Sequence, residues 1–332
     1  MVVCVVPSFR AAESIVDVVC GALEHVDRVV VVDDGCPEHS GEIVERAFRG
    51  NDRVECLYHG ENRGVGAATK TGMQRALALG AQFVVKLDAD AQMDPAFIPA
   101  MRDVLRAKPQ TALVKGNRFY DSSVTQAMPG MRLFGNSVLT LLVRIATGLW
   151  SSIDPTNGFF MIRASSLRRV RFETLSNRYY FEISLLAAVA MRRFEIAEME
   201  MPAIYGPHPS SLKIWRAALD FPGRLTVTLS KRLLWQYLIS DMNVGSVMLV
   251  LGSVLMLVSI VYGGAAWIET LRTGIARTPG TVMLAFLPFI SGFQLLVNAL
   301  IYDVQFSPKV HNVSRDERLD VVALPLRSVV TS

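Results

Sequence analysis

Phe83-Val84-Val85-Lys86-Leu87-Asp88-Ala89-Asp90-Ala91-Gln92-Met93-Asp94-Pro95 is the stretch around which the rest of the chain can be ordered. A Val-rich run that gives way to three carboxylates and an amide reads as a buried parallel strand with hard oxygen donors at its C-terminal end. Open α/β sheets place their ligands at that end. Asp88 and Asp90 stand two residues apart, so they can aim at one point as the strand closes, and Gln92 continues the same side. Such donors suit Mg2+ or Mn2+, which share their coordination with substrate phosphates. Taken alone, Asp-x-Asp before Asp94-Pro95 is also an ordinary acidic turn opening a helix, so the flanking chain has to decide.

Toward the N-terminus, Val2 to Val6 and Val29 to Val32 are apolar runs closed by Pro7-Ser8 and by Asp33-Asp34-Gly35. Glu13 to Glu24 carries Ile15, Val18, Val19 and Leu23 at helical spacing. Val54 to Tyr58 is another short run, leading into Asn62-Arg63-Gly64-Val65-Gly66 and a helix ending near Leu79. Strands and helices alternating in this way predict an α/β domain with a parallel, doubly wound sheet. Its strand ends bring Pro7, Asp33, Asp34 and Asp88 to one edge. The glycines of Asn62 to Gly66 either let backbone approach a nucleotide or cap the helix. A full Gly-x-Gly-x-x-Gly after the first strand is absent, so a Rossmann dehydrogenase is a poor match.

The chain of 332 residues is 51% hydrophobic, and its mean hydropathy of +0.32 is high for a wholly soluble protein. The apolar surplus lies late. Val244 to Ile268 has no charge over 25 residues and Thr281 to Tyr302 none over 22, each enough to span about 30 Å of hydrocarbon. Lys213, Arg216, Arg224, Lys231 and Arg232 precede the first span and Lys309, Arg315 and Arg318 follow the second, against Arg272 and Arg277 between them. The positive-inside rule then puts both ends in the cytoplasm. Residues 211–242 mix basic and aromatic residues with Leu, as helices lying in a headgroup layer do, with Pro222-Gly223 expected to break the helix. Gln294 and Asn298, four apart, permit hydrogen bonds between helices and predict a homo-oligomer through that face.

A net charge of +4 with no run of like charges argues against a nucleic-acid partner. Cys4, Cys20, Cys36 and Cys56 show no zinc spacing and read as small core residues of a reducing compartment. The chain opens directly on a strand, so no signal peptide is expected before the fold.

Pro7-Ser8-Phe9, Val32-Asp33-Asp34-Gly35, Asn62 to Gly66, Asp88-Ala89-Asp90-Ala91-Gln92, Gly116-Asn117-Arg118 and Asp154-Pro155-Thr156-Asn157-Gly158-Phe159 occur in an order that resembles family 2 glycosyltransferases. More narrowly, from about residue 2 to about residue 303, the chain resembles the polyprenyl-phosphate glycosyltransferases of the dolichol-phosphate mannose synthase and bactoprenol glucosyltransferase type. The resemblance implies a GT-A, Rossmann-like catalytic domain over 1–210. Interface helices over 211–242, two transmembrane helices over 243–303 and a cytoplasmic tail over 304–332 would follow. It implies that Pro7, Phe9, Asp33, Asp34 and Gly64 line a nucleotide, and that Asp88, Asp90 and Gln92 hold the metal and diphosphate. Asp154, Asn157 and Ser211 match further substrate-side motifs. Two departures stand out: Arg10-Ala11 replaces the usual Asn-Glu after the first strand, and Phe181-Glu182-Ile183-Ser184 replaces a Glu-Asp pair.

In transferases acting on sugar hydroxyls that missing carboxylate is a general base. A phosphate monoester has its second pKa near 6, so a lipid phosphate arrives largely as a dianion and needs none. Glu182 then either positions the sugar or is a solvated helical residue. An anionic acceptor calls for cations, and Arg118, Arg132 and Lys213 are candidates, each also readable as an ordinary surface charge. The expectation is an inner-membrane, multi-pass, metal-dependent enzyme with a cytoplasmic catalytic domain. It would move a sugar from a nucleotide diphosphate to undecaprenyl or dolichyl phosphate, with inversion, for cell-envelope glycan synthesis. The alternatives are a processive polysaccharide synthase, whose Gln-x-x-Arg-Trp string is absent, and a catalytically silent sugar-nucleotide binder.

Overall fold

The structure is a computed structural model, and it describes residues 1–119, 130–202 and 214–313, without the side chains of 131–134 and 214–220. The chain divides into two compact units, one of Met1–Thr228 with the segment from Pro308, the other of Leu229–Ser307.

The first unit is built on eight strands: β1 Val2–Ser8, β2 Arg28–Asp33, β3 Val54–Tyr58, β4 Phe83–Lys86, β5 Thr111–Asn117, β6 Phe160–Arg163, β7 Glu195–Glu200 and β8 Val310–Val313. They form one sheet in the order β3-β2-β1-β4-β6-β5-β7-β8. All pairings are parallel except the two made by β6. Between the strands run α1 Ile15–Leu23, α2 Ser40–Ala47, α3 Val65–Ala78, α4 Ile98–Ala107, α5 Gly130–Thr147 and α6 Phe181–Ala190. This is the expected mostly parallel α/β architecture.

The sequence explains the layering. Val2, Cys4 and Val6 of β1 join a core on one face of the sheet, and Val3 and Val5 join another on the opposite face. Because both faces are covered, β1 shows a continuous apolar run instead of alternation. Each fully buried Val stabilises the unit by about 2 kcal/mol. In α1, Ile15, Val18, Val19 and Ala22 are the buried positions, spaced for one helical face.

Two features of topology position the site. The chain runs from β1 outward to β3 and then returns to the other side of β1 as β4, so the ends of β1 and β4 flank a switch point where a crevice opens. The antiparallel β6, absent from the sequence expectation, starts where β4 and β5 end: Phe160 pairs with both Lys86 and Lys115. That register brings the segment ahead of β6, residues 152–159, to the edge that carries Asp88.

From the first unit the chain enters α7, Ile214–Leu233, which continues as a π-helical stretch over Leu234–Ser240. The expected break at Pro222-Gly223 is not there; Pro222 sits inside α7. A proline within a helix removes one backbone hydrogen bond and crowds the preceding turn. Burial of Phe221 and Leu225 offsets that cost, with Tyr180 edge-on to Phe221 at 5.5 Å between ring centres.

In the second unit, α8 Val244–Thr273 and α9 Pro279–Gln305 are each long and apolar enough to cross a membrane. They pack closely where Gly252 meets Gly292: a Cβ on Gly292 would lie 2.9 Å from the Gly252 carbonyl oxygen. Arg232 donates to Asp303 Oδ1 at 2.6 Å and the Tyr237 hydroxyl donates to the same oxygen at 2.7 Å, tying the base of this hairpin together. Gln294 donates to Asn298 within α9, so this pair satisfies part of its hydrogen bonding locally.

The tail expected from residue 304 supplies β8, which extends the sheet of the first unit beside β7. The four cysteines are free. Cys4 and Cys36 are buried as expected, whereas Cys20 is exposed on α1, the polar side of a helix whose other face is already filled.

Candidate active site

Lys86 ends β4 and is almost entirely buried, with 1% of its side chain exposed. Its ammonium lies 2.7 Å from Asp88 Oδ1 and donates to Glu182 Oε1 at 2.9 Å. Residues 86 and 88 share a side because strand side chains alternate, and Glu182 enters from the first turn of α6. Gly158 closes the cluster: a Cβ there would stand 2.7 Å from Lys86 Nζ, 3.1 Å from Asp88 Oδ2 and 3.4 Å from Glu182 Oε1. Burial alone would strip the lysine of its proton, but Asp88 and Glu182 more than reverse this and raise its pKa.

Beyond Asp88 the chain turns sharply. Ala91 has φ of 58°, a left-handed conformation, and Asp90 Oδ1 accepts from the Gln92 amide at 3.1 Å. Asp94 caps the following turn by accepting from the Ala96 amide at 2.9 Å, with Pro95 at its start. Partial desolvation, then the neighbouring Asp88 charge, raise the pKa of Asp90. Asp90 is exposed. A pair of crowded carboxylates, one of them reachable, next to an amide is a donor set that fits a hard divalent cation. Among the described residues no three His, Cys, Asp or Glu side chains form a closed cage, so substrate oxygens would have to complete the shell.

Asp33 and Asp34 are buried and engaged by the chain itself. Asp33 accepts from the amides of Cys36 at 2.7 Å and Gly41 at 2.8 Å. Asp34 accepts from the amides of Arg63 at 3.0 Å and Gly64 at 2.7 Å and lies 2.6 Å from His59 Nδ1. They therefore fix the loops bordering the crevice. Gly64, at φ of 98°, and Gly66 allow close approach to the chain's own backbone. A Cβ on Gly64 would lie 2.5 Å from the Asn177 carbonyl oxygen and one on Gly66 would lie 2.4 Å from that of Ser176. At the end of β1, Pro7 and Ser8 are buried and Phe9 is 41% exposed, with the Arg10 guanidinium 5.5 Å from its ring centre.

Asp154 is fully buried and grips Arg118. It accepts from Arg118 Nε at 2.8 Å, Nη2 at 3.0 Å and the backbone amide at 3.1 Å. Burial alone would raise its pKa; the Arg118 charge and hydrogen bonds, with Lys115 behind, outweigh that and lower it. Arg118 keeps 41% of its side chain exposed, enough to meet an anion. Asn157 accepts from the Phe159 amide at 3.0 Å and shapes the turn that delivers Gly158. Below this loop, buried Glu198 accepts from the Ser152 hydroxyl at 2.5 Å and the Ile153 amide at 2.9 Å. Ser211, Lys213 and the side chain of Arg132 lie outside the described residues.

Residues 3–171, just over half of the chain, match the family described as Glycosyl transferase family 2. The chain belongs to that family. This family 2 glycosyltransferase is 24% identical over 214 residues to the UDP-N-acetylglucosamine–dolichyl-phosphate N-acetylglucosaminyltransferase of Methanococcus voltae, covering 60% of this chain and 84% of that one. It is also 24% identical over 200 residues to the polyprenol monophosphomannose synthase of Mycolicibacterium smegmatis, covering 59% and 74%. Glucosyl-3-phosphoglycerate synthase from Mycobacterium tuberculosis, solved with Mg2+ and UDP, overlaps at a TM-score of 0.48 and 18% identity, covering 73% of this glycosyltransferase and 81% of that chain.

The sequence brings Pro7, Asp33, Asp34 and Asp88 to one sheet edge and offers Asp90 and Gln92 as metal donors, Arg118 as an acceptor cation and Glu182 as a sugar-positioning or solvated residue, without the contacts that tie Asp88 to Glu182. The signal for Lys86 lies in its position: a lysine two residues before Asp88 in a buried strand must face a partner on the same side. His59 and Glu198 carried no comparable signal, since their partners are distant in sequence.

Proposed function

We propose that this glycosyltransferase moves a sugar from a nucleotide diphosphate to a polyprenyl phosphate at the cytoplasmic face of a membrane, inverting the anomeric centre. The observation that carries this reading is the pairing of Glu182 with Lys86, which leaves this carboxylate bound to an ammonium at 2.9 Å. A carboxylate so held is suited to accepting hydrogen bonds from sugar hydroxyls and is a poor proton acceptor. An acceptor that brings its own negative charge needs no base. The Methanococcus relative is named for transfer to dolichyl phosphate and the Mycolicibacterium relative for making polyprenol monophosphomannose, which supports the same chemistry here.

The nucleotide would lie along the ends of β1 and β2, with Phe9 exposed against it and Asp33, Asp34 and Gly64 holding the loops around it. Asp90 and Gln92, with Asp88 Oδ2, would hold a divalent cation. When bound, that cation neutralises the diphosphate as it departs. Arg118, oriented by Asp154, would receive the acceptor phosphate, with Arg132, Ser211 and Lys213 as further contacts. An acceptor oxygen attacks the anomeric carbon as its bond to the diphosphate breaks, and the nucleoside diphosphate leaves with that electron pair. The apolar α8 and α9 and the basic residues flanking them support a membrane site with the catalytic unit on the cytoplasmic side.

The test is transfer from a panel of radiolabelled nucleotide sugars to undecaprenyl phosphate in detergent, with Mg2+ or Mn2+, beside Asp90→Ala. A chloroform-soluble, mild-acid-labile product made by the wild type and absent with Asp90→Ala is expected. Nucleotide binding without any lipid product across the panel would overturn the acceptor class.

A further inference from the structure

Lys86 is the one charged side chain of β4. It is 1% exposed in a strand whose neighbours Val85 and Leu87 are fully buried. A buried ammonium is tolerated only where carboxylates compensate it. It touches a carboxylate from each side of the site, Asp88 just beyond β4 and Glu182 on α6, across a floor at Gly158 where an added Cβ would crowd the lysine tip. One oxygen of Asp88, Oδ1, is thereby committed to an internal cation. Three carboxylates, Asp88, Asp90 and Glu182, less one ammonium leave the cluster with two net negative charges.

We propose that Lys86 is a positioning residue and a fixed countercharge, which holds Asp88 and Glu182 in register and keeps divalent-cation affinity low until a nucleotide diphosphate adds its own oxygens. The inference deepens the function proposed above and rests on that reading for its catalytic consequence. The site would load metal and nucleotide together: the cation finds Asp90, Gln92 and one oxygen of Asp88, and the diphosphate supplies the remaining ligands and charge. Without the ammonium, both oxygens of Asp88 and the whole of Glu182 become available, and the cluster attracts a cation unaided.

The experiment is a titration of Mn2+ into the full-length, nucleotide-free protein in detergent micelles, followed by electron paramagnetic resonance of free Mn2+, for wild type, Lys86→Met, Lys86→Arg and Glu182→Gln. Lys86→Met is expected to tighten Mn2+ binding at least about fivefold, since it removes one positive charge at contact range from the ligands. Lys86→Arg, which keeps the charge, should stay within about twofold of wild type. Glu182→Gln leaves the lysine in place and subtracts a negative charge, so it should weaken Mn2+ binding about threefold. It judges the proposal even where Lys86→Met does not fold. Unchanged Mn2+ affinity in Glu182→Gln, or in a folded Lys86→Met, would overturn the inference. In lipid transfer, Lys86→Met should lower kcat more than it raises the KM for donor. Because the Mn2+ titration involves neither sugar nor lipid, it stands even if no polyprenyl product forms; absence of product in wild type would instead count against the acceptor.

Discussion

At the scale of single residues, the site depends on charges buried beside exposed ones. Gly158→Ala tests the floor of the lysine cluster. The added Cβ meets the flexible tip of Lys86 at 2.7 Å, so the lysine shifts and the fold survives, at a stability loss of about 1 kcal/mol. Transfer should fall at least about tenfold, because displacement of a positioned group by a fraction of an ångström is felt strongly in rate; unaltered kcat would show that the contact is incidental. Asp154 gives a pH signature. Its folded pKa lies below the ordinary carboxylate value, so its contribution to stability is complete above about pH 4 and is lost as pH falls through the lowered folded value. Asp154→Asn should therefore cost about 2 kcal/mol at neutral pH, with the gap to wild type closing in acid. Thermal unfolding in detergent at stepped pH measures it, and a constant gap would mean that the ionised form is not favoured by folding. Sequence made Asp88 and Asp90 legible because short spacing along a strand end dictates a shared direction. It left Lys86 without a role because the ammonium gains its meaning from Glu182 and Gly158, both far along the chain.

At the scale of elements, strands and helices were legible where periodicity and burial agree, as in β3, which spans Val54–Tyr58 as expected. They were misread where tertiary contacts override local preference. Pro222 lies within α7 because Phe221 and Leu225 bury against the catalytic unit, and β6 was missed because four residues, Phe160–Arg163, carry too little pattern to announce an antiparallel strand. The packing of α3 on the sheet turns on Gly72, where a Cβ would come within 2.3 Å of Val5 Cγ1 and 3.2 Å of Val32 Cγ2. Helix propensity alone favours alanine there by about 1 kcal/mol. Overpacking should win, so that Gly72→Ala is destabilising by about 1 to 3 kcal/mol. Adding Val5→Ala should restore part of the loss, since it removes the atom that clashes. If the double variant is no more stable than the sum of the single effects, the helix has moved away from β1 as a body.

At the scale of the whole molecule, the chain order is the main surprise. The unit holding α8 and α9 is inserted between β7 and β8, so the catalytic sheet is complete only after the chain has passed through both apolar helices. The four residues of β8 contain His311 and Asn312, which break any apolar run and hid the strand. Its identity comes from pairing: Ile196 opposite Val310, Met199 opposite Val313, and His311 Nε2 3.1 Å from Glu195. Without β8, the buried strand β7 becomes an edge with unpaired amides and carbonyls, open to association with other chains. Ending the chain after Ser307 should therefore lower the melting temperature of the catalytic unit by several degrees, as a loss of about 2 kcal/mol does in a unit of this size, and promote aggregation. Val313→Asp separates the strand from whatever lies beyond it. Val313 is 2% exposed, and an unpaired carboxylate there should destabilise by about 2 to 3 kcal/mol with nucleotide affinity retained in the folded fraction. If both proteins melt at the wild-type temperature, β8 is dispensable and the catalytic sheet ends at β7. If both fall together, the sheet closes only once the membrane-competent hairpin has been made, and folding of the enzyme is tied to completion of its apolar unit.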